Sequence, residues 1–219
     1  MQEQVIAGDY SLKEEVAHSV THGIGAILSV VGLIILVIHS SMYGDTWHIV
    51  SSSIYGLTLI TLYTSSTLYH AITVPNVKRF LQKLDHAAIF LLIAGTYTPF
   101  TLVNLRGGWG WTLFGIVWSI AIAGMVMELI VKQRYKRVSL GLYLGLGWIV
   151  MIAIDPMIAH VETGGLILLL VGGLFYSLGV IFYVWKRLVY HHAIWHLFVL
   201  TGSVFHFFAV FYYVIPSAP

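Results

Sequence analysis

Long apolar runs alternate with short polar breaks along the whole chain. The runs fall at Gly23–Ser40, His48–Tyr69, Ala87–Leu105, Trp109–Ile130, Val138–Ile154, Gly164–Trp185 and Ala193–Ile215. At ~1.5 Å per residue, each is about long enough to carry a helix across a hydrocarbon layer of ~30 Å. None has the alternating pattern, in segments of roughly ten residues, that marks the strands of a membrane barrel. The pattern predicts an all-α membrane protein, a single seven-helix transmembrane domain over residues 1–219. Gly107, Gly108 and Gly110 predict a tight turn between the third and fourth spans. Asp155-Pro156 predicts a helix stop after the fifth. The N-terminal segment carries Glu3, Asp9, Glu14 and Glu15 and no basic region before a cleavage site, so the first span is expected to remain as a membrane helix.

Composition sharpens this picture. The chain is 58% hydrophobic and 9% charged, against about a quarter charged in a soluble domain. Seven spans in 219 residues leave no room for a separate soluble catalytic domain or a nucleic-acid-binding module. The absence of cysteine removes disulfides and thiolate metal sites. The cations are unevenly spread. With seven spans, Lys13, Lys78, Arg79, Lys83, Lys132, Arg134, Lys136, Arg137, Lys186 and Arg187 share one side, and Arg106 stands on the other. Basic loops stay inside, so the N-terminus is expected in the cytoplasm and the C-terminus outside, in a multi-pass protein of the cell (plasma) membrane. Trp47, Trp109, Trp111, Trp185 and Trp195 fall near span ends, as interfacial anchors do.

Histidine is the anomaly: 11 residues, as many as Lys and Arg together. The topology brings His22, His70, His86, His192 and His196 to similar depth near the cytoplasmic face, leaves His39, His48 and His160 at the outer face, and puts His206 nearer mid-membrane. His192 and His196 are spaced i, i+4, which puts both imidazoles on one helix face and suits adjacent positions on a metal ion. The pair also reads as two interfacial histidines. His70 adds a third ligand at the same depth, and three neutral imidazoles suit Zn2+ with one position left over. Asp85 shares that level, where it can act as general base, hold a ligand imidazole, or cap the third helix. Ser66, four residues before His70, can bond water or a substrate carbonyl, or its own helix backbone. Glu15 and Thr21 cap the first helix or line the cytoplasmic mouth, and Glu128 with Lys132 forms an i, i+4 ion pair.

These motifs resemble a known family. Glu15-Val-Ala-His-Ser-Val-Thr-His22-Gly23 looks like the first-helix motif of the haemolysin III family, whose relatives include the progestin and adipoQ receptors. Ser66-Thr-Leu-Tyr-His70 resembles its SxxYH, Leu84-Asp85-His86 the start of its third helix, and His192-Ala-Ile-Trp-His196 its HxxxH in the seventh. The motif departs at His18, where many relatives carry Asn. The resemblance implies a zinc ion held by His70, His192 and His196, with Asp85 and Ser66 near its water. Glu15, His22 and His86 are then candidates for supporting the ligands. In the adiponectin-receptor relatives this site is associated with hydrolysis of ceramide amides, and bacterial members are named for haemolysis and linked to membrane-lipid homeostasis.

Three functions follow as expectations. The first is a membrane-embedded zinc hydrolase of lipid amide or ester bonds, with a membrane lipid or free fatty acid as partner and Asp85 and Ser66 as the catalytic pair. The second is a lipid-responsive regulator or receptor with structural zinc, for which His86 or Asp85 would supply a fourth ligand. The third is a pore-forming cytolysin. It ranks last, because the polar residues collect at one end of the bundle rather than in stripes along several helices.

Overall fold

The computed structural model describes residues 10–130 and 136–216. Every regular element among them is helical: α1 Leu12–Tyr43, α2 Thr46–Ala71, α3 Pro75–Pro99, α4 Gly108–Ile130, α5 Lys136–Trp148, α6 Ile154–His160, α7 Thr163–Val184 and α8 His191–Tyr213. A π turn, Phe100–Asn104, extends α3, and a 3-10 turn, Ile149–Ala153, joins α5 to α6. α1 packs on α2 and α8, α2 on α3, α3 on α4, α5 on α3, α4 and α7, and α7 on α8.

Six helical segments are long and apolar enough to cross a membrane: Leu12–Tyr43, Pro75–Asn104, Gly108–Ile130, Arg137–His160, Thr163–Val184 and His191–Tyr213. α2 falls outside that set, although the sequence pattern predicts a span there. Its inward face carries Ser51, Ser52, Thr58, Ser65, Ser66 and His70, all buried. α2 therefore packs between α1 and α3 with polar groups turned into the bundle. α1 shows the reverse arrangement. Gly25, Ser29, Gly32 and Ser40 face inward, while Ile24, Ile27, Leu28, Val31, Ile34 and Ile38 are exposed. Small and polar inside with branched apolar outside is how helices pack in lipid, where close backbone approach replaces the hydrophobic effect.

The helix ends differ from the hydropathy boundaries in an informative way. α1 starts at Leu12, not Gly23. Ser11 caps it, and the Glu14 side chain returns the bond to the Ser11 N–H at 3.0 Å, forming a capping box. The expectation that Glu15 caps this helix is thus corrected. α3 starts at Pro75, whose missing N–H is harmless in a first turn. Asp85 consequently lies well inside α3 and is not its N-cap. Pro99 has no N–H to donate, and the ladder widens immediately into the π turn before Gly107 reverses the chain at φ 140°.

The helix stop expected at Asp155-Pro156 is also corrected. Both residues sit in the first turn of α6, and the break comes earlier, in the 3-10 turn. Tyr97 of α3 serves the backbone there. Its hydroxyl accepts from the Val150 N–H at 3.1 Å and donates to the Gly147 carbonyl at 2.8 Å. Lipid offers no alternative partner for such groups. Glu128, buried at the end of α4, accepts a hydrogen bond from Ser139 of α5. Lys132, its expected partner, lies outside the described residues.

Candidate metal centre

The chemistry-bearing residues converge at one end of the bundle because three helix ends meet there. Glu15, His18 and His22 are spaced i, i+3 and i+7 and share the buried face of α1. His70 closes α2. His192 and His196 open α8, whose first turn follows Tyr190 in the left-handed region at φ 58°. The Tyr190 N–H donates to Glu14 at 3.3 Å, tying the start of α8 to the start of α1.

His70, His192 and His196 are buried and offer ligand atoms within 4.8 Å of one another. This is the set expected from the sequence. Two of the three rings are held from behind. His70 Nδ1–H donates to Glu15 Oε2 at 2.6 Å, which leaves the Nε2 lone pair facing the centre. His196 Nδ1 lies 3.2 Å from the His18 carbonyl and 3.1 Å from Thr21 Oγ1. The carbonyl can only accept, so Nδ1 carries the proton and Nε2 is again the free lone pair. Among the described residues, His70 Nε2, His196 Nε2 and both His192 nitrogens are buried without a hydrogen-bond partner. Buried polar atoms are ordinarily paired. Orphaned lone pairs converging on one point fit a metal ion.

Glu15 holds His70 and is itself held. Its second oxygen pairs with Lys78 Nζ at 3.0 Å, and both side chains are buried. Lys78 also donates to the Tyr69 carbonyl at 2.8 Å and lies over the Tyr69 ring. In the sequence Lys78 stands only among the topological cations, because nothing in the local pattern says that it reaches Tyr69 and Glu15. A second donor set is missed as well: Glu15, His18 and His70, likewise buried and within reach of one ion. The signal was present. His18 and His22 have the same i, i+4 spacing as His192 and His196.

The remaining candidates lie on the far side of the rings. His22 stacks on His196 with centroids 3.5 Å apart and planes at 9°. His22, Asp85, His86 and Trp195 line a mostly apolar cavity of about 130 Å³ between α3, α5, α7 and α8. Trp195 lies 4.8 Å from the His192 ring and 5.2 Å from the His196 ring, so Trp195 and His22 both line the cavity and touch the candidate ligands. Asp85 Oδ2 is 3.6 Å from His86 Nδ1, which also contacts the Gln82 carbonyl at 2.6 Å. The Ser66 hydroxyl is buried without a partner among the described residues; it does not bond its own backbone as one expectation held. A second apolar cavity, of about 390 Å³, meets the first at Gly147, Trp148 and Gly173. On the open side, the Tyr10 ring covers His18 at 4.7 Å and His192 at 5.1 Å, and Lys186 lies over Tyr10.

Comparison with known proteins agrees with these motifs. A family model described as Haemolysin-III related matches residues 10–207. The chain is 48% identical over 207 residues to a Bacillus cereus protein named Hemolysin-3, covering 94% of each. It is 47% identical over 206 residues to the Hemolysin-3 homolog of Bacillus subtilis (strain 168), covering 94% of this chain and 97% of that one. More distantly, it is 29% identical over 210 residues to the human monocyte to macrophage differentiation factor, covering 93% of this chain and 86% of the relative. With the family match spanning nearly the whole chain and its motif histidines gathered into one buried metal-competent cluster, this multi-pass membrane protein belongs to the haemolysin III-related family.

Proposed function

We propose that the chain crosses the membrane seven times, with its N-terminus in the cytoplasm, and is a zinc-dependent hydrolase of lipid amide (ceramide-like) or ester bonds. One observation carries the reading. Three buried imidazoles with unpartnered nitrogens lie within reach of one ion, beside an apolar cavity that bears a carboxylate and whose lining residues His22 and Trp195 touch the ligand rings. When bound, zinc supplies Lewis-acid polarisation of a carbonyl and a water of lowered pKa. The protein supplies the rest. His70, His192 and His196 bind the ion. Glu15 fixes the His70 ring, and the His18 carbonyl with Thr21 fixes His196. Asp85 is the general base that takes the proton of the attacking water and returns it to the leaving group. Ser66 orients water or the substrate carbonyl. The two adjoining cavities, walled by Ile89, Leu92, Leu140, Leu166 and Leu170, suit an acyl chain.

A lipid-responsive regulator with structural zinc is the second reading. The additional buried imidazole of His18 favours it, because an extra ligand closes a coordination sphere. Metal analysis of the purified full-length protein comes first. About one zinc per chain is expected, lost in both His192→Ala and His196→Ala. Asp85→Asn is then expected to keep the metal and to lower cleavage of a ceramide-like amide roughly 10²–10⁴-fold. Zinc retained without turnover of any lipid amide or ester would favour the regulator. A wild-type protein with no metal would sink both.

A further inference from the structure

The His18 ring lies beside all three motif rings. Its ring centroid is 4.7 Å from that of His70, 4.8 Å from His192 and 5.5 Å from His196. The three motif rings are 5.2, 5.2 and 4.6 Å from one another. Four imidazoles around one tetrahedral centre, at a zinc–nitrogen distance of ~2.0–2.1 Å, have ring centroids roughly 5 Å apart. The four ring centroids are thus spaced as rings around one tetrahedral centre are. The His18 ring is tilted 60–69° to each of the other three, as separate ligands of one ion are.

The local chemistry agrees. Both His18 nitrogens are fully buried and lack a hydrogen-bond partner among the described residues. Glu15 Oε2 is 4.0 Å from His18 Nδ1, beyond hydrogen-bonding distance, and that oxygen already accepts from His70. As placed, the His18 ligand atoms group with those of Glu15 and His70 and not with those of His192 and His196, so joining the shared ion requires the His18 ring to turn. A second cation there would sit beside the ammonium of Lys78, which already neutralises Glu15. One shared ion is the electrostatically acceptable arrangement. His22, the other extra histidine, is the poorer candidate, because it lies flat against His196 and lines the cavity instead.

We propose that His18 is the fourth imidazole ligand of the metal centre, closing at rest the position that the hydrolase must open. The inference rests on the metal-centre reading above and deepens it into a form of regulation: three motif histidines hold the ion, and the α1 histidine controls access to it.

The test uses the full-length protein in detergent, loaded with Zn2+ or Co2+, beside His18→Asn and His18→Ala. X-ray absorption counts the imidazoles, and transfer to a chelator times metal loss. One ion and four imidazoles are expected in the wild type. One ion and three imidazoles are expected in His18→Asn, with metal leaving roughly tenfold faster or more. The visible spectrum of the Co2+-loaded variant should respond to added azide, while that of the wild type should not. Three imidazoles in the wild type, or an unchanged count in a variant that binds metal, would overturn the proposal and leave the three-histidine site intact. No metal in the wild type would instead overturn the site itself. The wild-type count decides the matter even if neither variant folds.

Discussion

Glu15 carries two obligations at the residue scale. It fixes the tautomer of His70, and it neutralises a buried ammonium. Carboxylates that support a metal-bound histidine typically account for 10–100-fold in metal affinity, while a buried charge stripped of its partner costs about 3–5 kcal/mol. Glu15→Gln is therefore expected to weaken metal binding about 10–100-fold and to lower the unfolding temperature, because Lys78 is left unpaired. The double variant Glu15→Gln with Lys78→Met separates the roles. Stability should recover while metal affinity stays low, read by thermal unfolding and by chelator competition. If affinity recovers with stability, the carboxylate serves only to balance Lys78. The identity of the three ligand histidines was legible in the sequence because helical spacing and topology alone bring them to one depth. The partners of Glu15 were not, since the contacts to α2 and α3 span 55 residues to His70 and reach Lys78 beyond it.

Hydropathy located the elements but mislaid their ends. It records which residues tolerate lipid, whereas a helix continues as long as its backbone is satisfied. α1 runs polar from Leu12 because Ser11 and Glu14 close its first turn. The fifth span shows the opposite effect. Its sequence reads as one apolar run, yet the chain breaks at Ile149–Ala153, where Val150 and Met151 line the second cavity. The break is tolerated because Tyr97, 53 residues before Val150 and on another helix, meets the released Val150 N–H and Gly147 carbonyl. Tyr97→Phe removes both bonds while keeping the ring. It is expected to cost about 1–3 kcal/mol, the usual penalty for a buried donor left unpaired, and to appear as a lower unfolding temperature in detergent. No change in that temperature would mean that the break is satisfied from elsewhere.

For the whole molecule, orientation is the property on which access to the centre depends. The natural absence of cysteine makes it directly measurable. Asn76, in the first turn of α3, and Arg106, between the π turn and α4, are both exposed and lie towards opposite ends of α3. In intact cells, a membrane-impermeant maleimide is expected to label Arg106→Cys and to spare Asn76→Cys until the membrane is opened. The reverse pattern would put the metal centre on the outer side. The class of the protein, its helical runs and the three motif histidines were determined by the sequence, because apolar length, charge asymmetry and i, i+4 spacing are local properties that no partner helix is needed to express. Other features were decided only by the tertiary structure: the burial of α2 despite its polarity, the Glu15–Lys78 pair behind His70, the Tyr97 bridge to the broken span, and the approach of His18 to the other rings. Each of these depends on contacts between different helices. Such contacts are fixed by how the faces pack against one another, and the order of residues along a single face does not record that.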